Sequence, residues 1–155
     1  MESLLGIPRQ HLTANCQSIT NAHLARRIEK SDVGPISVVG HVLAIESLKR
    51  IFAKVHAEKP DLNRVVGTAG MLCCRLIRGS SFTPSNHSWG TAIDLKIDGI
   101  LVPLGSEHTL SGLLALDHYF HEEDWYWGAG FSRPDSMHFE VAEETICKWA
   151  ASNSL

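Results

Sequence analysis

The chain has 155 residues, and we expect a single domain over residues 1–155, since this length can bury a hydrophobic core. Its apolar fraction of 44%, charged fraction of 20% and net charge of −3 are typical of a globular protein and argue against nucleic-acid binding. The chain contains no run of about 18 apolar residues, so the sequence does not predict a transmembrane helix. The N-terminus lacks the features of a secretory signal peptide.

The first part of the chain shows little periodicity. Residues 1–36 are interrupted by Pro8 and Pro35, so they predict an irregular N-terminal arm that packs on the rest of the domain. Apolar side chains then recur at helical spacing through residues 38–57, and Pro60 is placed to end that helix.

The middle of the chain predicts short strands joined by loops. Residues 64–72 contain two short extended segments around glycines, and residues 79–88 are rich in Ser, Thr, Asn and Pro, as loops are. Residues 92–97 alternate like a strand, and Asp98-Gly99 is a hairpin-turn signal that leads into the next short strand.

The last third predicts two helices, a loop and a strand. The helices are expected at 109–121 and 143–152, an aromatic, glycine-containing loop at 125–134, and the strand at 137–142. Strands and helices are mixed without a βαβ rhythm. The sequence therefore predicts an α+β fold in which a small antiparallel sheet is flanked by helices.

The four cysteines do not form a C-x-x-C pair, so their spacing does not indicate a cysteine zinc site. They are Cys16, Cys73, Cys74 and Cys147. Two interpretations remain open. All four are buried thiols, which we favour, or Cys16 forms a disulfide with Cys73 or Cys74.

Two polar segments supply the residue types of a hydrolytic metal site. His87 and Asp94 lie seven residues apart, and a tight turn at Gly90 would bring their side chains together. His138 would come from a separate strand. Two histidines and one carboxylate match the three protein ligands of a catalytic zinc, which leaves one position for water.

A second carboxylate near His138 is a candidate general base. Asp135 precedes this histidine by three residues and would reach a metal-bound water without binding the metal. Glu140 is the rival, because it shares a strand face with His138; alternatively it orients that ligand. We favour Asp135 as the base. With nine histidines in the chain, a chance proximity of polar residues is the simpler alternative.

Two blocks of the chain resemble the zinc-site blocks of the M15 family of peptidoglycan peptidases. They are Ser85-x-His87-x-x-Gly90-x-Ala92-x-Asp94 and Asp135-x-x-His138-Phe139-Glu140. The family includes D-alanyl-D-alanine carboxypeptidases, D,D-dipeptidases and the L-alanyl-D-glutamate endopeptidases of phage lysis enzymes. The likeness extends over roughly residues 64–142, and the segments 74–80 and 125–128 are also similar to flanking parts of the family.

The resemblance implies one Zn²⁺ per chain and a role for each residue. The implied zinc ligands are His87, Asp94 and His138, and Asp135 is the implied general base. The family usually has an arginine ahead of the first block that steadies the substrate carbonyl oxygen. Arg75 is our choice for it and Arg78 the alternative. Ser85 either contacts the substrate or is a turn residue. Much of the family has Glu where this chain has Asp135, so the attacking water would lie closer.

The resemblance also implies a fold and an activity. The fold would be that of the Hedgehog and D,D-peptidase domains. The activity would be zinc-dependent hydrolysis of peptidoglycan stem peptides, and we favour an endolysin-like endopeptidase of the L-Ala–D-Glu type. The alternatives are a D-Ala–D-Ala carboxypeptidase and a dipeptidase. From another class, the alternative is a non-catalytic zinc-binding recognition module, as in Hedgehog-type domains.

The expected partner is peptidoglycan or its peptide fragments. Without a signal peptide, we expect the protein to be made in the cytoplasm and to reach the cell wall by phage lysis or a secretion machine. An immunity or delivery partner is not identified by the sequence.

Overall fold

The computed structural model describes residues 1–152, and its first part is more regular than the sequence predicts. Two one-turn helices, α1 (Glu2–Leu5) and α2 (Ala22–Ala25), are followed by the antiparallel strands β1 (Ile28–Asp32) and β2 (Ser37–His41). Strand β1 lies within the predicted irregular arm. Its sequence is polar and half exposed, so pairing with β2 rather than an apolar pattern makes it a strand.

The long predicted helix is present but begins later. Helix α3 (Val42–Glu58) starts after β2, which takes up residues 38–41, and it is followed by α4 (Pro60–Val65). Pro60 stands in the first turn of α4, where a proline is tolerated because that N–H needs no helical partner. The proline thus separates the two helices, as expected.

The main sheet has four antiparallel strands. They are β3 (Val66–Gly70), β4 (Ala92–Ile97), β5 (Trp125–Trp127) and β6 (His138–Val141), in the spatial order β3-β4-β6-β5. Strand β5 lies in the segment predicted as an aromatic loop, whereas the segment after Asp98-Gly99 makes a tight turn with a single bridge, Ile97 to Ile100.

Two helices complete the domain, α5 (Ser111–Glu122) before β5 and α6 (Glu143–Ala151) after β6. The architecture confirms the predicted α+β class with a small antiparallel sheet flanked by helices. Among residues 1–152, no helix has the length and apolar character needed to cross a membrane.

An aromatic cluster joins the sheet to the helices. Phe120 of α5 packs on Phe139 of β6, with ring centroids 4.2 Å apart, and also contacts Phe52 of α3 and Trp125 of β5. Successive side chains of a strand point to opposite faces. Since Phe139 is fully buried in this core, its neighbour His138 faces the other side of the sheet.

The N-terminal arm is tied to the segment that precedes the polar loop. Cys16 and Cys73 form a disulfide, and backbone hydrogen bonds run from Gln17 N to Cys74 O and from Leu76 N to Thr13 O. The disulfide interpretation of the sequence is therefore correct. Cys74 is a buried thiol, and Cys147 is an exposed thiol, so the favoured interpretation of four buried thiols is wrong.

The turn at Gly90 brings β4 against the β2–α3 junction. Gly90 has φ of +67°, and a Cβ there would lie 2.7 Å from His41 N and 2.8 Å from Gly40 Cα. Its carbonyl accepts a hydrogen bond from His41 N at 2.9 Å. Both the backbone conformation and the close approach require a glycine.

We expect Gly90→Ala to lower the free energy of unfolding by more than about 3 kcal/mol, because strain in the left-handed region adds to a backbone clash. Gly99→Ala is the matched control. Gly99 has φ of +75°, and a Cβ there would have no other atom within 4 Å, so only the strain of about 1–2 kcal/mol should appear. Urea denaturation of the three proteins measures the difference, and equal losses would contradict the close-approach argument.

We expect Cys16→Ser to lower the free energy of unfolding by about 4 kcal/mol, because the disulfide closes a long loop between residues 57 positions apart. Cys147→Ser, which removes an exposed free thiol, should leave stability unchanged. Denaturation under non-reducing conditions tests this. A reducing agent should abolish the difference between wild type and Cys16→Ser, and a persistent difference would point to another cause.

Candidate metal centre and its cavity

Three side-chain atoms converge at one point beside the sheet. His87 Nε2 lies 3.2 Å from Asp94 Oδ1 and 3.2 Å from His138 Nδ1, and His138 Nδ1 lies 3.1 Å from Asp94 Oδ1. Both histidines are buried, and the carboxylate is largely buried. Among the described residues, these three form the group with the right atoms to hold a metal ion.

His87 is fixed by the loop that precedes β4. It lies in a short 3-10 helix, Asn86–Trp89, that ends at Gly90. Its Nδ1 lies 2.7 Å from the carbonyl oxygen of Met71, and its own carbonyl accepts from Cys73 N at 3.0 Å. The segment tied down by the disulfide therefore also orients the first candidate ligand.

Asp94 and His138 meet because of strand register. They are direct partners in the antiparallel pairing of β4 with β6, so their side chains stand on the same face of the sheet. Glu140 lies two residues further along β6, and its Oε2 is 2.8 Å from His138 Nε2. Glu140, which shares a strand face with His138, thus binds Nε2 of His138, the ring nitrogen that points away from the three-atom group.

The donor set fits a zinc ion. In a neutral His87, Nδ1–H donates to the Met71 carbonyl, and in a neutral His138, Nε2–H donates to Glu140. Each ring then presents a bare nitrogen to Asp94, so three acceptors face one another without a proton between them. Ligands about 2.0 Å from a tetrahedral zinc lie about 3.3 Å apart, close to the observed separations. A cation at the centre relieves this arrangement.

The two histidines and Asp94 stabilise one another's charged forms. Burial by itself would lower the pKa of His138, but hydrogen bonds to Asp94 and Glu140 outweigh it and raise the pKa to about 9. Burial would raise the pKa of Asp94, but the two histidines hold it well below its usual range. Without a metal, the group therefore holds a proton where a divalent cation would otherwise be held.

Asp135 lies close to this group without joining it. Its carbonyl accepts from His138 N at 3.0 Å, so residues 135–138 form a tight turn directly before β6. Burial raises the pKa of the Asp135 carboxyl, with Asp94 adding to the effect. Its Oδ1 is buried and has no hydrogen-bond partner among residues 1–152. This carboxylate is therefore a stronger base than an exposed aspartate.

A cavity of about 420 Å³ opens over the three-atom group. One part of its wall comes from the segment before β4 and another from the segment that enters β6. Every residue singled out from the sequence lines it, namely Arg75, Arg78, Ser85, His87, Asp94, Asp135, His138 and Glu140. The structure thus brings all the candidate residues together around one cavity, with the buried histidines at its base.

The two candidate arginines differ in their surroundings. Arg75 is half-buried, and its Nη1 donates to Leu76 O at 3.0 Å. Burial and the like charge of Arg78 lower the pKa of Arg75, and the opposing effects of Asp94 and Asp135 are smaller. Arg75 therefore lies near both carboxylates and near Arg78. Arg78 is exposed at the cavity rim. Ser85 is a buried turn residue that also lines the cavity, and its backbone N donates to Arg75 O at 2.9 Å.

Several residues of the site have no signal in the sequence. Ser88 is fully buried, and its Oγ both accepts from Arg75 N and donates to Arg75 O at 3.0 Å, so it clamps that backbone. The Met71 carbonyl is a backbone group and is invisible in a residue pattern. Arg133 lines the cavity from the second wall. Trp89 instead packs in the core and donates to Gly6 O at 2.8 Å.

Residues 78–141 match the model of an M15 peptidase family described as D-alanyl-D-alanine carboxypeptidase. A comparison with curated proteins finds no match. The matched segment carries His87, Asp94, Asp135 and His138, whereas Arg75 lies just before it. The segment that carries the site is therefore similar to the M15 peptidase family, which is the family that the sequence motifs resemble.

The α+β architecture is consistent with this family. The description of the matching family model, D-alanyl-D-alanine carboxypeptidase, indicates a hydrolase that acts on peptidoglycan-type peptides. The group of His87, Asp94 and His138 is where the chain can hold the metal.

We expect Glu140→Ala to weaken zinc binding about 10- to 100-fold, because His138 loses the acceptor that fixes its tautomer. Glu140→Gln should weaken it less, since an amide oxygen still accepts from Nε2–H. Competition with a chromogenic chelator measures both affinities.

Glu144→Ala is the matched control for this prediction. Glu144 is an exposed carboxylate near the same cleft, so its removal changes the local charge without touching His138. Equal effects of the two alanine variants would show that net charge, not the hydrogen bond to His138, determines zinc affinity.

Proposed function

We propose that this protein is a zinc-dependent endopeptidase that cuts peptidoglycan stem peptides, with the L-Ala–D-Glu bond as the favoured target. The observation that carries the proposal is the convergence of three metal-ligating atoms, from His87, Asp94 and His138, beside a partly buried Asp135 in an open cavity. A metal site with a separate carboxylate base is the arrangement that peptide hydrolysis requires.

In this proposal His87, Asp94 and His138 would hold the zinc ion. Bound zinc supplies Lewis-acid chemistry, which lowers the pKa of a water molecule and polarises the scissile carbonyl. Asp135 takes the proton of the attacking water and passes it to the leaving amine. Its raised pKa suits both steps, because the carboxylate is a better base and its acid form a usable proton donor.

Arg75 is proposed to stabilise the negative charge that develops on the carbonyl oxygen. It is half-buried near Asp94 and Asp135, so its charge acts in a region with little water. Ser88 holds the Arg75 backbone by two hydrogen bonds, which limits the reorganisation needed when the charge appears. Arg78 is the alternative for this role but is more exposed.

The shape of the cleft favours an endopeptidase. A second cavity of about 250 Å³ adjoins the first, and Asn86 and Glu140 line both. A peptide that occupies the first cavity therefore has a neighbouring cavity into which its chain can extend, as a substrate cut within its chain needs. A dipeptidase would instead need a closed pocket.

The alternatives within the family differ in the bond that is cut. A D-Ala–D-Ala carboxypeptidase is favoured by the description of the matching family model and by the arginines of the cavity, which suit a terminal carboxylate. A non-catalytic zinc-binding module is disfavoured by the partly buried Asp135, since metal binding alone does not require that carboxylate.

We expect Asp135→Asn to retain zinc and lose at least about 100-fold in kcat, because the amide cannot accept the proton of water. His138→Ala should lose both zinc and activity, since a ligand is removed. Metal analysis and hydrolysis of a synthetic stem peptide measure the two properties. Asp98→Asn, a conservative change in an exposed turn, is the control. An active Asp135→Asn together with an inactive Glu140→Gln would reassign the base to Glu140.

Digestion of purified peptidoglycan, with mass spectrometry of the new termini, identifies the bond. New D-Glu amino termini are expected from the proposed endopeptidase. Released D-alanine would instead indicate the carboxypeptidase. A zinc-loaded protein that releases no product from peptidoglycan or from soluble peptides would support the recognition module and overturn the proposal.

A further inference from the structure

Two positive charges that line the cavity have no hydrogen-bond or ion-pair partner among residues 1–152. Arg78 comes from the segment before β4 and Arg133 from the segment that enters β6. Neither side chain makes a hydrogen bond or an ion pair within residues 1–152, although other exposed arginines do, such as Arg50 with Glu123 and Arg64 with Asp61. The chain as a whole carries a net charge of −3, so an unpaired basic pair at the mouth of the cavity is a local feature.

The carboxylates of the cavity do not neutralise these two arginines. Asp94 is held by His87 and His138, and Glu140 by His138. Asp135 is near Arg75, which already supplies a positive charge to it. The acidic side chains are therefore committed to the metal group or to the proposed base. The positive charges at the rim are available to a ligand.

Arg133 is positioned by the loop beneath it. Gly105 has φ of +84°, and a Cβ there would lie 3.4 Å from Nε and 3.8 Å from Cγ of Arg133, so the arginine side chain passes over a residue without a side chain. The loop is held in place by a hydrogen bond from Gly105 N to Pro134 O at 2.7 Å. Leu104 of the same loop lines the cavity beside Arg133. This packing reduces the entropy that the long side chain loses on binding.

We propose that Arg78 and Arg133 form a carboxylate subsite that makes the enzyme select substrates with a free carboxylate on the residue that supplies the leaving amine. A guanidinium binds a carboxylate through paired charge-assisted hydrogen bonds, and it meets only one acceptor oxygen and an NH₂ donor in a carboxamide. This inference rests on the proposed function. It adds that stem peptides amidated at this position are poor substrates.

Two sources carry this carboxylate. In a stem peptide, D-Glu is linked through its γ-carboxyl, so its α-carboxylate is free next to the L-Ala–D-Glu bond. A terminal D-Ala presents its own carboxylate next to a D-Ala–D-Ala bond. We favour D-Glu, because a second cavity adjoins the first at Asn86 and Glu140 and can take the rest of a longer peptide.

The test compares matched synthetic peptides that differ only in this group. One pair contains D-Glu or D-isoglutamine after L-Ala, and the other ends in D-Ala–D-Ala as the acid or the amide. For the wild-type, zinc-loaded protein, kcat/KM on the D-Glu peptide should exceed that on the D-isoglutamine peptide by about tenfold or more, as expected for a charge-assisted contact at a rim. A preference confined to the second pair would assign the carboxylate to terminal D-Ala.

The arginine variants decide whether the subsite is responsible. In Arg78→Gln/Arg133→Gln, the ratio of kcat/KM on the D-Glu peptide to kcat/KM on the D-isoglutamine peptide should fall towards one. The ratio is the readout because any loss that is common to both peptides leaves it unchanged. Arg26→Gln, an exposed arginine outside the cavity, should keep the wild-type preference. Zinc content and melting temperature verify that each variant is folded. A double variant that keeps the full preference would overturn the subsite, as would a wild-type protein that cleaves both peptides equally well.

Binding measurements separate this inference from the proposed function. Calorimetry of the same peptides with zinc-loaded Asp135→Asn reports the carboxylate preference without turnover. If the wild type cleaves no peptide but the acid forms bind more tightly and lose this advantage in the arginine variant, the proposed function fails and the subsite stands. Equal binding of acid and amide forms would overturn the subsite whatever the activity.

Discussion

The site depends on three acceptor atoms that the fold forces to face one another. Asp94 and His138 are opposite residues of an antiparallel strand pair, so their side chains share one face. His87 is brought to them by the loop before β4, with its other nitrogen held by the Met71 carbonyl. Without a cation, such an arrangement has an electrostatic cost that only a shared proton reduces. Backbone hydrogen bonds of the fold therefore hold the three atoms in an arrangement that a divalent cation would stabilise.

The segments that hold these three atoms in place come from distant parts of the sequence. The disulfide from Cys16 ties the N-terminal arm to residues 73–77, and that segment both hydrogen-bonds the His87 loop and carries Arg75. On the other side, Gly90 lets the loop pass within van der Waals contact of the β2–α3 junction. The β1–β2 pair and the N-terminal arm thus hold the loop that carries His87. The main sheet holds Asp94 and His138.

The candidate residues that the sequence singles out converge in the structure, whereas several elements around them were not predicted. Asp94 lies in an alternating strand and His87 before a glycine turn, so both residue type and local structure pointed to the same place. Strand β1 was missed because its residues are mostly polar, and it exists through pairing with β2. Strand β5 was missed because three aromatic residues next to glycines resemble a loop. Its strand character comes from the edge of β6, where Trp127 pairs with Phe139.

Contacts that depend on the backbone were beyond a residue pattern. Ser88 hydrogen-bonds the backbone of Arg75, which lies 13 positions earlier in the sequence. Arg133 is unpaired because no acidic side chain among residues 1–152 lies within ion-pair distance of it. Neither residue type nor spacing carries such information, because a serine and an arginine in polar segments are usually exposed. The site residues that sequence analysis could find are those with unusual chemistry, and the ones it missed act by position.

For an aspartate to act as the proposed base, the backbone at residue 135 must lie close to the metal group. Aspartate is one methylene shorter than glutamate, so its main chain must approach the metal group more closely. The tight turn from Asp135 to His138 fixes the main chain here, and it packs on Gly128, whose carbonyl accepts from Asp135 N at 2.9 Å. A Cβ on Gly128 would lie 2.6 Å from Asp135 O and 3.2 Å from His138 Cβ. A side chain at Gly128 would therefore push the turn that carries Asp135 away from β5, so the position of the proposed base depends on a glycine at this place.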